Sequence, residues 1–285
     1  MLRIGTCSWK FPSWEGLVYS SPEPPDYLEE YAQRYRTVEI DQWFWSLFGP
    51  ETVRLPDPAT AAGYAAAVDP TFRFTIKAPN SVTLTHVYSS ARTHAGVANP
   101  QFLSPELFAA FLDRIRPLQG QCDAIMLQFE YLNRKKMPDA ATFLGRLDAF
   151  LDALPDGWPV AVETRNPNYL STAYFELLAR HGVAHVFAEG YYMPPVTEIY
   201  RRYADLLVPR AIVRLLGPDR KGIEEQTSRR WDRRLAPKDD QLAAIADMVQ
   251  EMLSRSFEVT VNVNNHYEGS APRTIGVLEE LIRNP

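Results

Sequence analysis

The amino-acid sequence predicts an α/β fold: a single (β/α)₈ TIM barrel over residues 1–285, with a polar pocket at the C-terminal ends of eight parallel strands. Three observations carry this expectation. Eight short strand-like runs alternate with eight stretches of helical periodicity, and strict alternation requires parallel strands joined by helical crossovers. The length of 285 residues suits such a barrel, which typically uses about 250. Charged and amide residues inside the strand runs keep one parity and gather toward the C-terminal ends, where barrels of this kind build their sites. An open doubly wound sheet normally shows a Gly-rich phosphate turn after its first strand. Here that turn reads Thr6-Cys7-Ser8-Trp9.

The elements follow in order. Residues 3–8 read as the first strand, and a loop with Trp9, Trp14 and Tyr19 leads to a helix with Leu28, Tyr31, Ala32 and Tyr35 at helical spacing. Residues 37–41 are the second strand. The aromatic run Trp43-Phe44-Trp45 comes next, then an Ala-rich helix over 59–68 and a third strand over 73–78. Residues 79–103 carry His86 and His94 without a regular pattern, and a structureless loop of that length is usually functional or disordered. Ser104-Pro105 opens a helix with Ser at the N-cap and Pro in the first turn. The fourth strand, 122–129, and a helix over 138–154 follow. The fifth strand is 159–164, and its helix over 171–181 is closed by Gly182, a common C-terminal signal. The sixth strand, 183–188, precedes a helix over 195–205, and the seventh is 211–215. A charged loop, a helix over 238–254, the eighth strand over 257–263 and a last helix over 272–282 complete the chain.

Composition bounds the function. Apolar residues at 46% and charged residues at 23% are ordinary for a globular protein. A formal charge of -5 and a pI near 5.6 leave no global basic field to attract nucleic acid. Cys7 and Cys122 make neither a disulfide framework nor a zinc pair. The chain enters a strand at once, without a signal-peptide pattern, and no apolar run approaches the roughly 18 residues of a membrane helix. The expectation is a cytoplasmic protein with no membrane partner.

Strand parity then selects residues. Glu39 and Asp41 share a face with Thr37, opposite Val38 and Ile40; Glu163 and Arg165 oppose Val160 and Val162; Arg214 opposes Val213 and Leu215. Asn262 and Asn264 oppose Val261 and Val263, and Lys77 lies with Thr75. The outward face of a barrel strand packs on helices, so the polar set points inward. The inferred ring is Glu39, Asp41, Lys77, Gln128, Glu163, Arg165, Arg214, Asn262, Asn264 and His266. It reads either as an ion-pair network closing the barrel, whose attraction is largely offset by desolvation, or, preferred here, as a functional site.

At these residues the chain resembles the family called domain of unknown function 72, the YecE-like proteins. The matching segments are Ile4-Gly5-Thr6-Cys7-Ser8-Trp9 with Trp14-Glu15-Gly16 and Tyr19, Thr37-Val38-Glu39-Ile40 with Phe44, and Phe72-Arg73-Phe74-Thr75-Ile76-Lys77-Ala78-Pro79. They continue with Thr85-His86, Leu127-Gln128, Val162-Glu163-Thr164-Arg165, Val213-Arg214-Leu215-Leu216-Gly217, and Asn264-Asn265-His266 with Gly269, Ala271 and Pro272. The resemblance implies a (β/α)₈ barrel and names no reaction. It also implies a likeness of shape to sugar isomerases and an apurinic endonuclease, which is analogy of fold alone. The chain departs from the family pattern at Leu216 and Asn166, where His is usual, at Glu130-Tyr131, which replaces Pro-Pro, and at Trp45-Ser46, which replaces the end of Phe-Tyr-Arg.

Chemistry can be assigned to the ring. Glu39 and Glu163 could form a general acid/base pair, with His266 a further proton carrier; their alternative is salt bridging to Lys77 and Arg165. Lys77, His86, Gln128, Arg165, Arg214, Asn264 and Asn265 are expected to bind substrate, cations holding negative charge and amides orienting it. Asn265, of opposite parity, could instead brace the last helix. Glu39, Asp41, Glu163 and His266 offer hard oxygen and imidazole donors to a divalent metal, although no metal-binding spacing is present. The basic run Arg229-Arg230-Trp231-Asp232-Arg233-Arg234 could hold a phosphate or stack on a base, or be a solvated loop. The expected function is an enzyme, a hydrolase or an isomerase-type proton-transfer catalyst. Its substrate would be a small polar or anionic molecule such as a sugar, sugar phosphate or nucleotide-like compound. The alternatives are a nucleic-acid-binding or processing barrel resembling an apurinic endonuclease in fold only, and a non-catalytic ligand-binding module.

Overall fold

The structure is a computed structural model describing residues 1–87, 96–190 and 192–284; His94 lies outside the described residues. In chain order the elements are β1 (Leu2–Thr6), α1 (Tyr27–Arg34), β2 (Thr37–Ile40), β3 (Leu47–Gly49), β4 (Thr52–Val53), α2 (Pro58–Ala66), β5 (Arg73–Lys77), α3 (Asn80–Thr83) and α4 (Pro105–Arg114). Then come β6 (Cys122–Gln128), α5 (Ala140–Asp152), β7 (Val160–Glu163), α6 (Thr172–Arg180), β8 (Ala184–Gly190), α7 (Val196–Tyr203), β9 (Arg210–Gly217), α8 (Arg220–Thr227), α9 (Asp239–Ser254), β10 (Glu258–Val263) and α10 (Ala271–Arg283). Eight strands close into a barrel in the order β1-β10-β9-β8-β7-β6-β5-β2. Every pairing within it is parallel. None of the described helices is long and apolar enough to cross a membrane.

The eight expected strands are all present. Four smaller elements, β3, β4, α3 and α8, were not expected. β3 and β4 form an antiparallel hairpin after the aromatic run. It is tied to the single turn of α3, where Asn80 Oδ1 accepts from the backbone N–H groups of Ser46 and Leu47, both at 2.9 Å. The stretch after β5 is therefore not structureless, but one helical turn is too short to show a period. The charged loop after β9 contains α8, capped by Asp219, whose Oδ1 accepts from Gly222 N at 2.9 Å. Only Ile223 and Thr227 of α8 are buried, so it has almost no apolar stripe to read.

Parity is observed as expected. Val38, Ile40, Phe74, Ile76, Leu127, Val162, Val213, Leu215, Val259, Val261 and Val263 belong to the large core shared with the helices. Inside the barrel, Ala124, Met126, Ala161, Ala184, Val186 and Ile212 fill one half. The other half is polar: Asn262 Nδ2 donates across the barrel to Thr75 Oγ1 at 2.8 Å. Small and medium side chains on the inner face make this a packed interior rather than a pore.

One glycine links the barrel to its mouth. Gly217 ends β9 at a φ of +79°, and a Cβ there would sit 2.4 Å from the carbonyl oxygen of His266. Both the left-handed backbone and the close approach require glycine. Gly217→Ala is expected to destabilise the protein by roughly 2–4 kcal/mol in urea unfolding. A loss below about 0.5 kcal/mol, the range of neutral surface changes, would contradict this packing.

Candidate functional site

The inward residues of five strands converge on Arg214, from β9. Its Nε and Nη2 donate to Glu39 Oε2 and Oε1, each at 2.7 Å. Its Nη1 donates to Glu163 Oε2 at 2.5 Å and to Gln128 Oε1 at 3.1 Å. Arg165 Nη2 lies 2.5 Å from Glu163 Oε1, and Lys77 Nζ lies 3.5 Å from Glu39 Oε1. Each of the four carboxylate oxygens thus faces a cation. Both Glu side chains are 0% exposed, which is tolerable only because the charges are matched. Burial pushes Glu163 upward, but Arg165 and Arg214, with Lys77 beyond them, bring it down to about 2. Burial likewise works against the charge of Arg214, and Glu163 and Glu39 outweigh it, holding the guanidinium well above its ordinary value.

Above this floor opens a cavity of about 670 Å³ at the C-terminal ends of the strands, a size that suits a small molecule. Asp41, Lys77, Gln128, Glu130, Arg165, Asn264, Asn265 and His266 line it, with aromatic surface from Phe11, Phe44, Trp45, Phe129 and Trp231. Arg220 and Glu224 of α8 close one side. Most of its charges are already matched. Lys136 pairs with Glu130. Arg220 and Arg229 pair with Glu224 at 2.7 and 3.1 Å.

Two groups in the wall differ. The Asp41 carboxyl makes no ion pair with, and no hydrogen bond to, another described residue; the hydrogen bond it accepts is from its own backbone N–H. Burial, then repulsion from Glu39, raises its pKa, with Lys77 and Arg214 opposing. His266 Nε2 lies 3.1 Å from Glu224 Oε1, and its ring meets Trp231 edge-on at 5.1 Å. Burial, then the nearby Arg220, lowers its pKa, with Glu224 opposing. The imidazole is therefore neutral at neutral pH. A carboxylate acceptor at Nε2 assigns the proton there, which leaves the Nδ1 lone pair available.

The structure brings most of the expected ring together, in two tiers. Glu39 and Glu163 lie in the floor, beneath the cavity lining, with Lys77, Gln128, Arg165 and Arg214 around them. Asp41, Asn264 and His266 stand in the wall. Asn264 Oδ1 accepts from His266 N at 2.9 Å and shapes that turn. Asn265 does what its parity allowed: its Oδ1 accepts from Ala271 N at 2.9 Å and braces α10. His86 is outside the cavity lining, with its ring 3.0 Å from Thr85 Oγ1. No three of Glu39, Asp41, Glu163 and His266 gather their donor atoms. Among the described residues the group that does is Asp148, Asp152 and His181, at the opposite end of the barrel, where Asp148 already bonds His181 and Arg180 at 2.6 Å each.

Residues 3–285 match the family described as Protein of unknown function DUF72. The chain belongs to this family. The UPF0759 protein YecE of Escherichia coli K12 is 26% identical over 187 residues, covering 64% of this chain and 55% of YecE. The chain therefore spans little more than half the length of that relative. The DUF72 protein of Thermotoga maritima superposes with a TM-score of 0.67 at 21% identity over 100% of both chains. That of Enterococcus faecalis gives 0.67 at 18%, over 100% of this chain and 96% of its own. A psychrophilic family 10 endo-β-1,4-xylanase reaches 0.50 at 8% identity, over 100% of this chain and 96% of its own, a likeness of fold alone.

Asn166, Leu216 and Trp45, three of the residues at which the resemblance implied departures, each have a place in the structure. Asn166 is buried and clamps the loop after β6, accepting from Leu132 N at 2.7 Å and donating to Leu132 O at 3.0 Å. Leu216 packs with Cys7 and Ala188 at the cavity floor. Trp45 lies edge-on to Phe44 at 5.2 Å in the cavity wall. Sequence reasoning missed Glu268, which is 0% exposed and grips Arg234 through two 2.7 Å bonds while accepting from Thr274 Oγ1 at 2.7 Å. This knot anchors the turn that carries His266. It also takes Arg234 out of the basic run; Arg230 and Arg233 pair with Asp232. The signal available was a lone Glu immediately after the Asn-Asn-His-Tyr stretch.

Removing the central cation tests the floor. Glu163 is depressed, so its contribution to stability is present above the ordinary value of 4.5 and lost as pH falls toward 2. Arg214→Met strands two buried carboxylates and is expected to cost about 3–5 kcal/mol at neutral pH. With the guanidinium gone the pKa of Glu163 rises, so the variant should recover stability as pH falls toward 4.5. Urea unfolding against pH reads both effects, and a loss under about 1 kcal/mol would contradict the assigned pairing.

Proposed function

We propose that this chain is an enzyme, one barrel domain throughout, that catalyses hydrolysis or isomerase-type proton transfer on a small uncharged polyhydroxylated molecule such as a sugar or nucleoside. The observation that carries this reading is that one cavity is lined by both a carboxyl without an ion pair, Asp41, and a neutral imidazole, His266. They follow β2 and β10, the two strands that flank β1. Asp41 acts as the acid and His266 Nδ1 as the base. Proton transfer by positioned groups contributes about 10²–10⁴-fold to a rate.

Engagement of the cations supports hydroxyl ligands over a phosphate. The five cations outnumber the three carboxylates they face, but each is already held by one: Lys77, Arg165 and Arg214 by Glu39 and Glu163, and Arg220 and Arg229 by Glu224, whereas a phosphate needs donors free to turn toward it. Gln128 and Asn264 offer amides to hydroxyl groups, and the aromatic wall offers surface to the C–H faces of a ring. In this reading Glu39 and Glu163 are positioning residues that fix Arg214.

Assays of neutral sugars, nucleosides and their glycosides, each beside its phosphorylated counterpart, test the proposal by NMR-detected turnover. The neutral member of a pair should be preferred. Asp41→Asn and His266→Gln should each lower kcat by about 10²–10⁴-fold without lowering the melting temperature. The rate profile should show two limbs, one from His266 at a pKa below its ordinary 6.5 and one from Asp41 at a pKa above its ordinary 3.8. Full turnover by Asp41→Asn, or preference for the phosphorylated member, would overturn the assignment.

A further inference from the structure

We infer that the substrate extends past this cavity into a second subsite built by Tyr131 and Tyr192, so that the enzyme takes an oligosaccharide or glycoside of two or more rings. The inference rests on the sugar-type reading of the main cavity. A second cavity of about 640 Å³ is lined by Tyr131, Arg165, Pro167, Asn168 and Tyr192. Arg165 lines both cavities, so the two adjoin at its side chain.

The aromatic surface here is unusual in its exposure. Tyr131 is 60% exposed and Tyr192 98% exposed, yet neither covers any core. Among the described residues the exposed large aromatics are Trp45, Phe48, Tyr131 and Tyr192. Three of them line one or other of these two cavities. The fourth, Phe48, is in the hairpin that follows Trp45, with Arg54 4.6 Å over its ring. Exposed aromatics concentrated at one end of a barrel mark a contact surface rather than random surface composition. Tyr192 stands in the left-handed region, at a φ of +64°. Met193 N donates to Gly190 O at 3.1 Å across the turn that presents it.

The lining favours a sugar over a polyanionic strand. Its charged residue, Arg165, is already committed to Glu163 at 2.5 Å, and binding a nucleic acid draws most of its strength from phosphate contacts. What the subsite offers is two phenol rings, a proline face and the Asn168 amide. Those are stacking surface with a few hydrogen-bonding groups, the pattern of a small-ligand site.

The test is chain length. Glucose, mannose, galactose and xylose, with their di- and tetrasaccharides, are compared by calorimetric titration and by turnover. Affinity should rise about tenfold from one ring to two or more, the equivalent of one good aromatic contact. Tyr131→Ala and Tyr192→Ala should each remove most of that gain and leave monosaccharide binding unchanged, while Tyr192→Phe keeps it. Equal binding of monomer and oligomer would overturn the subsite and leave the main cavity's reading standing, as would a gain that survives both alanine variants. Silence across the whole panel would overturn the subsite together with the sugar form of the main cavity's reading. Tyr192-dependent, salt-sensitive binding of an octathymidine strand with the sugars silent would replace the oligosaccharide by a nucleic acid.

Discussion

The guanidinium of Arg214, buried between two carboxylates, sets the geometry of everything above it. A charge at that depth is costly unless each of its donors is met. Glu39, Glu163 and Gln128 meet them, from β2, β7 and β6. The bonds span sequence separations of 175, 86 and 51 residues, so they form only when the barrel has closed in register. The floor is thus both a product of the fold and a check on it. A one-residue slip in any contributing strand would turn its charged residue onto the helix-packed face, leaving an unmatched charge in the interior.

What remains chemically available follows from what the floor consumes. Glu39 and Glu163 have the composition of a catalytic pair, but their oxygens are spent on Arg214, Arg165 and Lys77. Asp41 lies one inward position further along the same strand line as Glu39. It escapes that pairing while still feeling its neighbour's charge and its own burial. On the other side of β1, a second buried ion pair, Glu268 with Arg234, holds the turn from which His266 projects. Two salt-bridged supports therefore frame Asp41 and His266, which line the cavity between them.

Much of this was legible in the sequence, and what was not has physical reasons. Period-two alternation marks inward residues without knowledge of the fold, so Glu39, Lys77, Glu163, Arg214 and Asn262 were all placed on the correct face. Partner choice was not legible. Three cations and two carboxylates can pair in several ways, and the stagger of a closed barrel selects among them. Asp123 shows the limit of parity. A register irregularity where β5 meets β6 sends it inward to Thr260, against simple alternation. The run around Trp231 reads as a basic patch in sequence because its partners are set by the fold: Arg229 faces Glu224 of α8, Arg230 and Arg233 face Asp232, and Arg234 faces Glu268, and α8 itself has almost no apolar stripe to read. Once the helix is known, Arg220–Glu224 and Lys221–Glu225 are ordinary pairs four residues apart. Tyr131 and Tyr192 gave no sequence signal, since exposure of an aromatic residue is a property of the finished surface.

The separation between a spent floor and an active wall is measured most directly by carbon-detected NMR titration of the side-chain carboxyls. Asp41 should titrate above its ordinary 3.8, while Glu163 stays ionised down to about 2. Asp41 titrating at or below 3.8 together with Glu163 titrating at or above 4.5 would contradict the account, because the available proton would then reside in the floor.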